Sequence, residues 1–206
     1  THCISSAASD VYKRQGFDGT TMKDIARAAG IGDATIYKYF PTKDRIVLGY
    51  LDDVAHQALA DTLQTPGFAG YGLQEKLQRL TDAVLERLLA DREFVAQVRG
   101  LARRSPLSML AEPLAARQSL RDAVASFLEA AEASGEIEPC DFKGLAGSLY
   151  TDYLAGVVSY WLADTSDEFA DTTQLVDLSL GVLVQALRGG LVNRVLQLGG
   201  FVPVSY

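Results

Sequence analysis

The chain has 206 residues, of which 48 % are hydrophobic and 22 % charged, with 18 Gly, 6 Pro and a formal net charge of -7. These are the values of an ordinary globular protein with room for a sizeable core, and they exclude a disordered, fibrous or disulfide-dependent chain. Cys3 and Cys140 lie far apart, and His2 and His56 have no second imidazole at ligand spacing, so no disulfide framework, zinc site or other metal or cofactor is expected.

The charge is unevenly distributed. Residues 1–48 carry seven Lys/Arg against five Asp/Glu, whereas residues 49–206 carry twelve against twenty-one. A weakly basic head on an acidic body points to an anionic partner for the head alone. The most apolar stretch, residues 154–163, is bounded by Asp152 and Asp164 and is about half the length of a bilayer crossing. The start has no basic run followed by an apolar segment, so a reducing cytoplasmic location with no membrane is expected.

Apolar residues recur at three- and four-residue spacing through most of the chain, and strand-type alternation is scarce, so the predicted fold class is all-α. Residues 1–15 admit two readings. DVYKRQ at 10–15 reads like the translation of an adapter used in sequencing libraries, which makes 1–15 an assembly scar. The spacing of Ala7, Ala8, Val11 and Tyr12 equally permits a first helix whose apolar side packs on Ile25 and Phe40. Thr21 and Asp24 have the T-x-x-D form of a capping box, opening a short helix with Ile25 and Ala29 inward and Gly30 past its end. A turn at 30–33 leads to a second short helix, with Asp33 as expected N-cap, Ile36 and Phe40 on its buried side and Pro41 as its stop. Thr42 then caps a longer helix to about residue 63, with an apolar stripe through Leu48, Leu51, Ala55 and Leu59.

Beyond a Pro- and Gly-containing loop at 65–72, residues 73–90 repeat the helical period through Leu77, Leu80, Val84 and Leu88. Residues 92–103 read as a short helix, and Pro113 suits the first turn of a helix over 112–134 that Gly135 stops. The last two helices, about 142–163 and 172–188, are the least polar. Leu145, Leu149, Tyr153 and Val157 are expected to face inward, with Gly156, Val158 and Tyr160 on other sides. A helix apolar beyond one stripe needs cover on two sides. Helices 142–163 and 172–188 are therefore either central core or a homodimer interface built as a four-helix bundle. The tail, residues 191–206, is short and apolar and carries no motif.

No P-loop, GxGxxG after a strand, HExxH or GxSxG is present, nor any pair of carboxylates whose surroundings suggest a raised pKa, and no enzyme is predicted. The informative segment is residues 16–43, GFDGTTMKDIARAAGIGDATIYKYFPTK, in which two short helices meet across a tight glycine turn and Ala26 is small at the crossing, as a helix-turn-helix requires. With Ile36 and Phe40 inward, Ala34, Thr35, Tyr37, Lys38 and Tyr39 are outward. Thr35 can touch a phosphate or a thymine methyl, Lys38 can donate to guanine O6 and N7, and the Tyr37 and Tyr39 hydroxyls can donate to phosphates. Lys23 and Lys43 can neutralise backbone charge. The bland alternative is an α-hairpin with a solvated surface.

The pattern G-F-x-x-T-T-x-x-x-I-A-x-x-A-G-I followed by T-I-Y-x-Y-F-x-x-K-D, within residues 16–48, resembles the tetracycline-repressor (TetR) family of bacterial transcription regulators. That resemblance implies a helix-turn-helix DNA-binding domain over 1–48, then a larger helical effector-binding and dimerisation domain over 49–190. It implies a double-stranded DNA operator contacted through Thr21, Lys23, Ala34, Thr35, Tyr37, Lys38, Tyr39 and Lys43. Two residues depart from the pattern: Gly32 stands where the family commonly has Ser, and Asp33 puts a negative charge near phosphates unless it is engaged in capping. The resemblance further implies a small-molecule effector in the body, with Phe94, Val98, Arg99, Tyr150, Tyr153, Val157 and Trp161 as candidate lining, Arg103 as an alternative to Arg99, and plain core as the competing reading. A mostly apolar lining implies a hydrophobic or aromatic effector. The expected function is a ligand-responsive, homodimeric repressor of a palindromic operator; the alternative is a helical sensor or carrier with weak or lost DNA binding.

Overall fold

The computed structural model describes residues 2–104 and 115–190, and all regular structure among them is helical. In chain order the helices are α1 (His2–Gly19), α2 (Met22–Ala28), α3 (Asp33–Tyr39), α4 (Lys43–Leu63), α5 (Leu73–Leu89), α6 (Arg92–Arg104), α7 (Ala115–Ala133), α8 (Lys143–Ala163) and α9 (Ala170–Arg188). Short 3-10 turns occupy Phe68–Gly70 and Asp167–Phe169. The expected helix start at Pro113 and the tail 191–206 lie outside the described residues. Two compact units are drawn from this chain: one from Thr1–Gln57 and Glu86–Arg117, the other from Ala58–Leu85 and Gln118–Tyr206, so that the division falls inside α4, α5 and α7. The first unit thus takes in α6 as well as the head segment.

In the first unit, α1 buries Ile4, Ala8, Val11 and Tyr12, one helical face, and kinks at Gly16, whose φ of 73° only glycine adopts freely. The Tyr12 ring stacks on Phe94 at 5.2 Å, and Tyr50 meets Phe94 edge-on at 5.1 Å. Beside them Asp91 accepts from the Ser9 hydroxyl at 2.7 Å and the Tyr50 hydroxyl at 2.9 Å and pairs with Lys13. Burial works to raise the Asp91 pKa, but the hydrogen bonds from Lys13, Ser9 and Tyr50 outweigh it and hold the carboxyl below its ordinary value.

Two expectations about this region need correction. The buried stripe of α4 runs through Val47, Tyr50, Val54 and Ala58, while Leu51, Ala55 and Leu59 are only half-buried. Leu48 is buried but belongs to a neighbouring row: nearly every position from Ile46 to Leu51 is apolar, and periodicity alone leaves two stripes open there. Ala29, expected inward, is the half-buried C-cap of α2, whose inner face is Met22, Ile25 and Ala26.

In the second unit, α5 buries Leu73, Leu77, Leu80 and Val84, and α7 buries Leu120, Val124, Phe127, Leu128 and Ala131. The Gly147 backbone of α8 sits so close to α7 that an added Cβ would lie 2.7 Å from the Arg121 carbonyl oxygen. α8 turns Tyr150, Thr151, Leu154, Val157 and Trp161 inward, and α9 turns in Thr172, Val176, Leu180, Val184 and Leu187. Leu145 and Leu149, expected inward, are exposed, and Tyr153 is half-buried. With Tyr160, Leu175, Leu178, Val182 and Leu183 they form the outward apolar surface of α8 and α9.

The connection between these two helices is tied by Asp164. One carboxylate oxygen accepts from the Ser166 amide and hydroxyl at 2.8 and 2.6 Å, the other from the Thr172 amide and hydroxyl at 2.9 and 2.5 Å. It thereby caps the first turn of α9. The turn it closes carries Glu168 and Phe169 at φ 48° and 59°, a strained pair for residues with a Cβ, and Phe169 lies 5.7 Å from Trp161. Among the described residues no helix is long and apolar enough to cross a membrane.

Candidate nucleic-acid interface

The geometry of α2, the turn and α3 follows from local chemistry. The Thr21 side chain accepts from the Asp24 amide at 3.2 Å, and the Asp24 carboxylate accepts from the Thr21 amide at 3.0 Å, so the capping box is complete. The hydrogen bonds from the Thr21 side chain and backbone hold the Asp24 carboxyl below its usual value. At the other end the Ile31 amide donates to Ala26 O at 3.0 Å and the Gly30 amide to Arg27 O at 3.2 Å, with Gly30 at φ 67°. This is the Schellman arrangement, and it turns the chain within two residues.

Entry into α3 differs from expectation. The N-cap is Gly32, in an extended conformation, and its carbonyl accepts from the Thr35 and Ile36 amides at 2.9 and 3.2 Å. Asp33 is already the first helical residue, and no side chain caps the helix. The backbone turns at Gly32 because the Gly30 turn delivers an extended residue there, one position earlier than the preference for an Asp cap suggests.

Only Ile36 of α3 is buried. Ala34, Thr35 and Lys38 are exposed, and Tyr37 and Tyr39 expose 50 % and 57 % of their surface, a large fraction for tyrosines. Lys23 of α2 is exposed, as is Thr21, whose hydroxyl also donates to Asp24 at 2.6 Å. These residues present aromatic, hydroxyl and cationic groups from α2 and α3.

Lys43 stands apart: it is half-buried, with Nζ donating to Phe17 O at 2.7 Å and Thr20 O at 2.9 Å and lying 4.4 Å from the centre of the Phe17 ring. Two of its three ammonium protons therefore hold the end of α1. Gly49, absent from the expected set, seats the C-terminal end of α3: a Cβ there would lie 2.8 Å from Phe40 Cε1. A lone glycine inside the apolar run of a helix was the signal that could have found it.

The candidate effector residues divide between the two units. Phe94 is a core residue of the first unit, and Arg99 is half-buried there, while the side chains of Val98 and Arg103 lie outside the described residues. Tyr150, Tyr153, Val157 and Trp161 belong to the second. The Tyr150 hydroxyl is shared with Thr81 at 2.9 Å and donates to Leu77 O at 3.1 Å, and the Tyr153 hydroxyl is 2.8 Å from Ser179 Oγ. Burial pushes the Tyr150 and Tyr153 phenols above their ordinary value. Cys140 is a free, buried thiol whose pKa burial also raises.

A fold of this kind, a short helix-turn-helix ahead of a helical body, defines a DNA-binding regulator, and comparison with known proteins identifies its lineage. The family model described as "Bacterial regulatory proteins, tetR family" matches residues 4–49, and that described as "Tetracyclin repressor-like, C-terminal domain" matches residues 76–202. The chain belongs to the TetR family of transcriptional regulators. Among relatives, it is 29 % identical over 175 residues to the uncharacterized HTH-type transcriptional regulator YdeS of Bacillus subtilis, spanning 84 % of this chain and 83 % of that one. It is 24 % identical over 195 residues to the HTH-type transcriptional regulator UidR of Escherichia coli, spanning 92 % and 91 %. The solved structure of Salmonella enterica GusR superposes with a TM-score of 0.63 at 23 % identity over 91 % of this chain and 94 % of that one, a likeness of fold. The relatives are regulators, and the match from residue 4 takes in most of α1.

Proposed function

We propose that this regulator is a homodimeric, effector-responsive repressor, cytoplasmic, with residues 1–48 as the reading head and 49–190 as the effector-binding and dimerisation body. The observation that carries the reading is that α3 exposes every side chain but Ile36. In this reading α3 enters the major groove, where Thr35 and Lys38 reach base edges and Ala34 permits close approach. Tyr37, Tyr39, Thr21 and Lys23 meet phosphates, and Lys43 sets the head's internal geometry while adding charge near the backbone. The exposed apolar faces of α8 and α9 pair with those of a second copy, since an apolar surface of this extent on a free monomer is costly. A small apolar or aromatic effector held near Tyr153, Val157 and Trp161 then favours one spacing of the two heads; inverting the populations from 1:99 to 99:1 takes roughly 5.5 kcal/mol of differential affinity.

A gel-shift titration against promoter DNA at several salt concentrations tests this. The expected outcome is a shifted dimer complex whose affinity falls steeply with salt as counterions are released. Lys43→Ala should weaken binding about evenly across sequences, and Lys38→Ala should also relax one base pair, costing roughly 1 to 3 kcal/mol there. An intact dimer that shifts no DNA at low salt favours a sensor or carrier instead.

A further inference from the structure

We propose that Asp33 reads a base: its carboxylate accepts a hydrogen bond from the exocyclic amine of a cytosine and so sets one C·G pair in each half-site, an assignment that rests on the docking of α3 in the major groove given above. Asp33 stands in the first turn of α3, exposed, and its carboxylate neither caps the helix nor has a hydrogen-bond or ion-pair partner among the described residues. Gly32 occupies the cap position, so capping does not account for the charge. An ionised carboxylate can only accept hydrogen bonds. Against phosphates it is repelled, and its one favourable place in a complex is opposite a donor on a base edge.

The four edges of the major groove are not equivalent to such a group. Guanine presents the acceptors N7 and O6, and thymine presents O4 beside its methyl group. Adenine offers its N6 amine, but with the N7 acceptor alongside. Cytosine alone offers an amine, N4, with no neighbouring acceptor. A charge that lowers affinity for arbitrary DNA thus becomes a discriminating one, unfavourable opposite guanine and thymine, offset by the N7 acceptor opposite adenine, and most favourable opposite cytosine. The surroundings fit: Ala34 is small, leaving room for close approach, and Tyr37, one turn along on the same side of α3, is exposed with it.

Selection from a pool of duplexes with randomised positions, by the full chain and by Asp33→Asn and Asp33→Ala, tests the assignment, with unchanged thermal melts verifying that the variants fold. The wild type should select C at one position of each half-site with about 5- to 100-fold discrimination. Asp33→Asn should change that position to A, because an amide matches the N6/N7 pair of adenine, and Asp33→Ala should level it while leaving the other positions as they were. If all three proteins select the same bases everywhere and the variants only bind more tightly overall, Asp33 is a repulsive charge and the assignment is wrong, although the docking of α3 stands. A wild type that retains no duplex from the pool overturns the docking and the Asp33 assignment together.

Discussion

Phe40 can close the core beneath α3 because α4 has no side chain at Gly49, where a Cβ would meet the ring at 2.8 Å. A phenyl ring fixed between helices cannot swing away as the end of a long flexible side chain can, so Gly49→Ala should overpack the first unit and cost about 1 to 3 kcal/mol. Urea unfolding measures it, and an unchanged midpoint would show that Phe40 has room to move. Asp164 makes a different prediction. Hydrogen bonds from Ser166, then Thr172, hold its folded carboxyl well below the usual carboxylate range. The stabilisation is therefore present above the unfolded value, about 3.9, and is lost as pH falls through the lower folded value. The difference in urea midpoint between wild type and Asp164→Asn should be widest at neutral pH and should narrow below about pH 4. A difference constant from pH 7 to pH 3 would contradict the role given to this carboxylate.

At the scale of elements, what was legible in the sequence was what local chemistry decides. The Thr21–Asp24 box, the left-handed Gly30 and the stop at Pro41 each act within a few residues, so the boundaries of α2 and the end of α3 could be read before any packing was known, while the cap that starts α3 fell one residue ahead of the expected Asp33. What was not legible depended on partners. Leu145 and Leu149 read as core because leucine favours burial, but which side of α8 meets its own subunit is decided by Gly147 lying on Arg121, a long-range contact. Lys43 read as a phosphate ligand because nothing in its spacing reveals the carbonyls of Phe17 and Thr20 across the fold. The first helix is the element whose contribution a single truncation measures. A chain beginning at Gly16 removes Ile4, Ala8, Val11 and Tyr12 from the first unit's core. It should lose the cooperative unfolding of that unit and with it DNA binding, whereas an unaltered melt would mean that residues 1–15 add nothing to the fold.

At the scale of the whole molecule, the proposed function makes the outward apolar surface of α8 and α9 and the exposed side of α3 depend on each other, since a twofold-related pair of heads reads two half-sites only if the bodies hold them together. Val182, 71 % exposed on α9, is well placed to test this, because a charge there touches no core. Val182→Asp should shift the protein from dimer to monomer in sedimentation while leaving helicity intact, and operator affinity should fall with the dimer; a variant still dimeric would move the interface elsewhere. The most direct test of the central claim, that the exposed side of α3 lies in the major groove of two successive half-sites, is methylation interference on the shifted complex. Methyl groups at guanine N7 should block binding in two clusters about one helical turn or a multiple of it apart. Interference confined to adenine N3 in the minor groove, or absent from a complex that still forms, would contradict it.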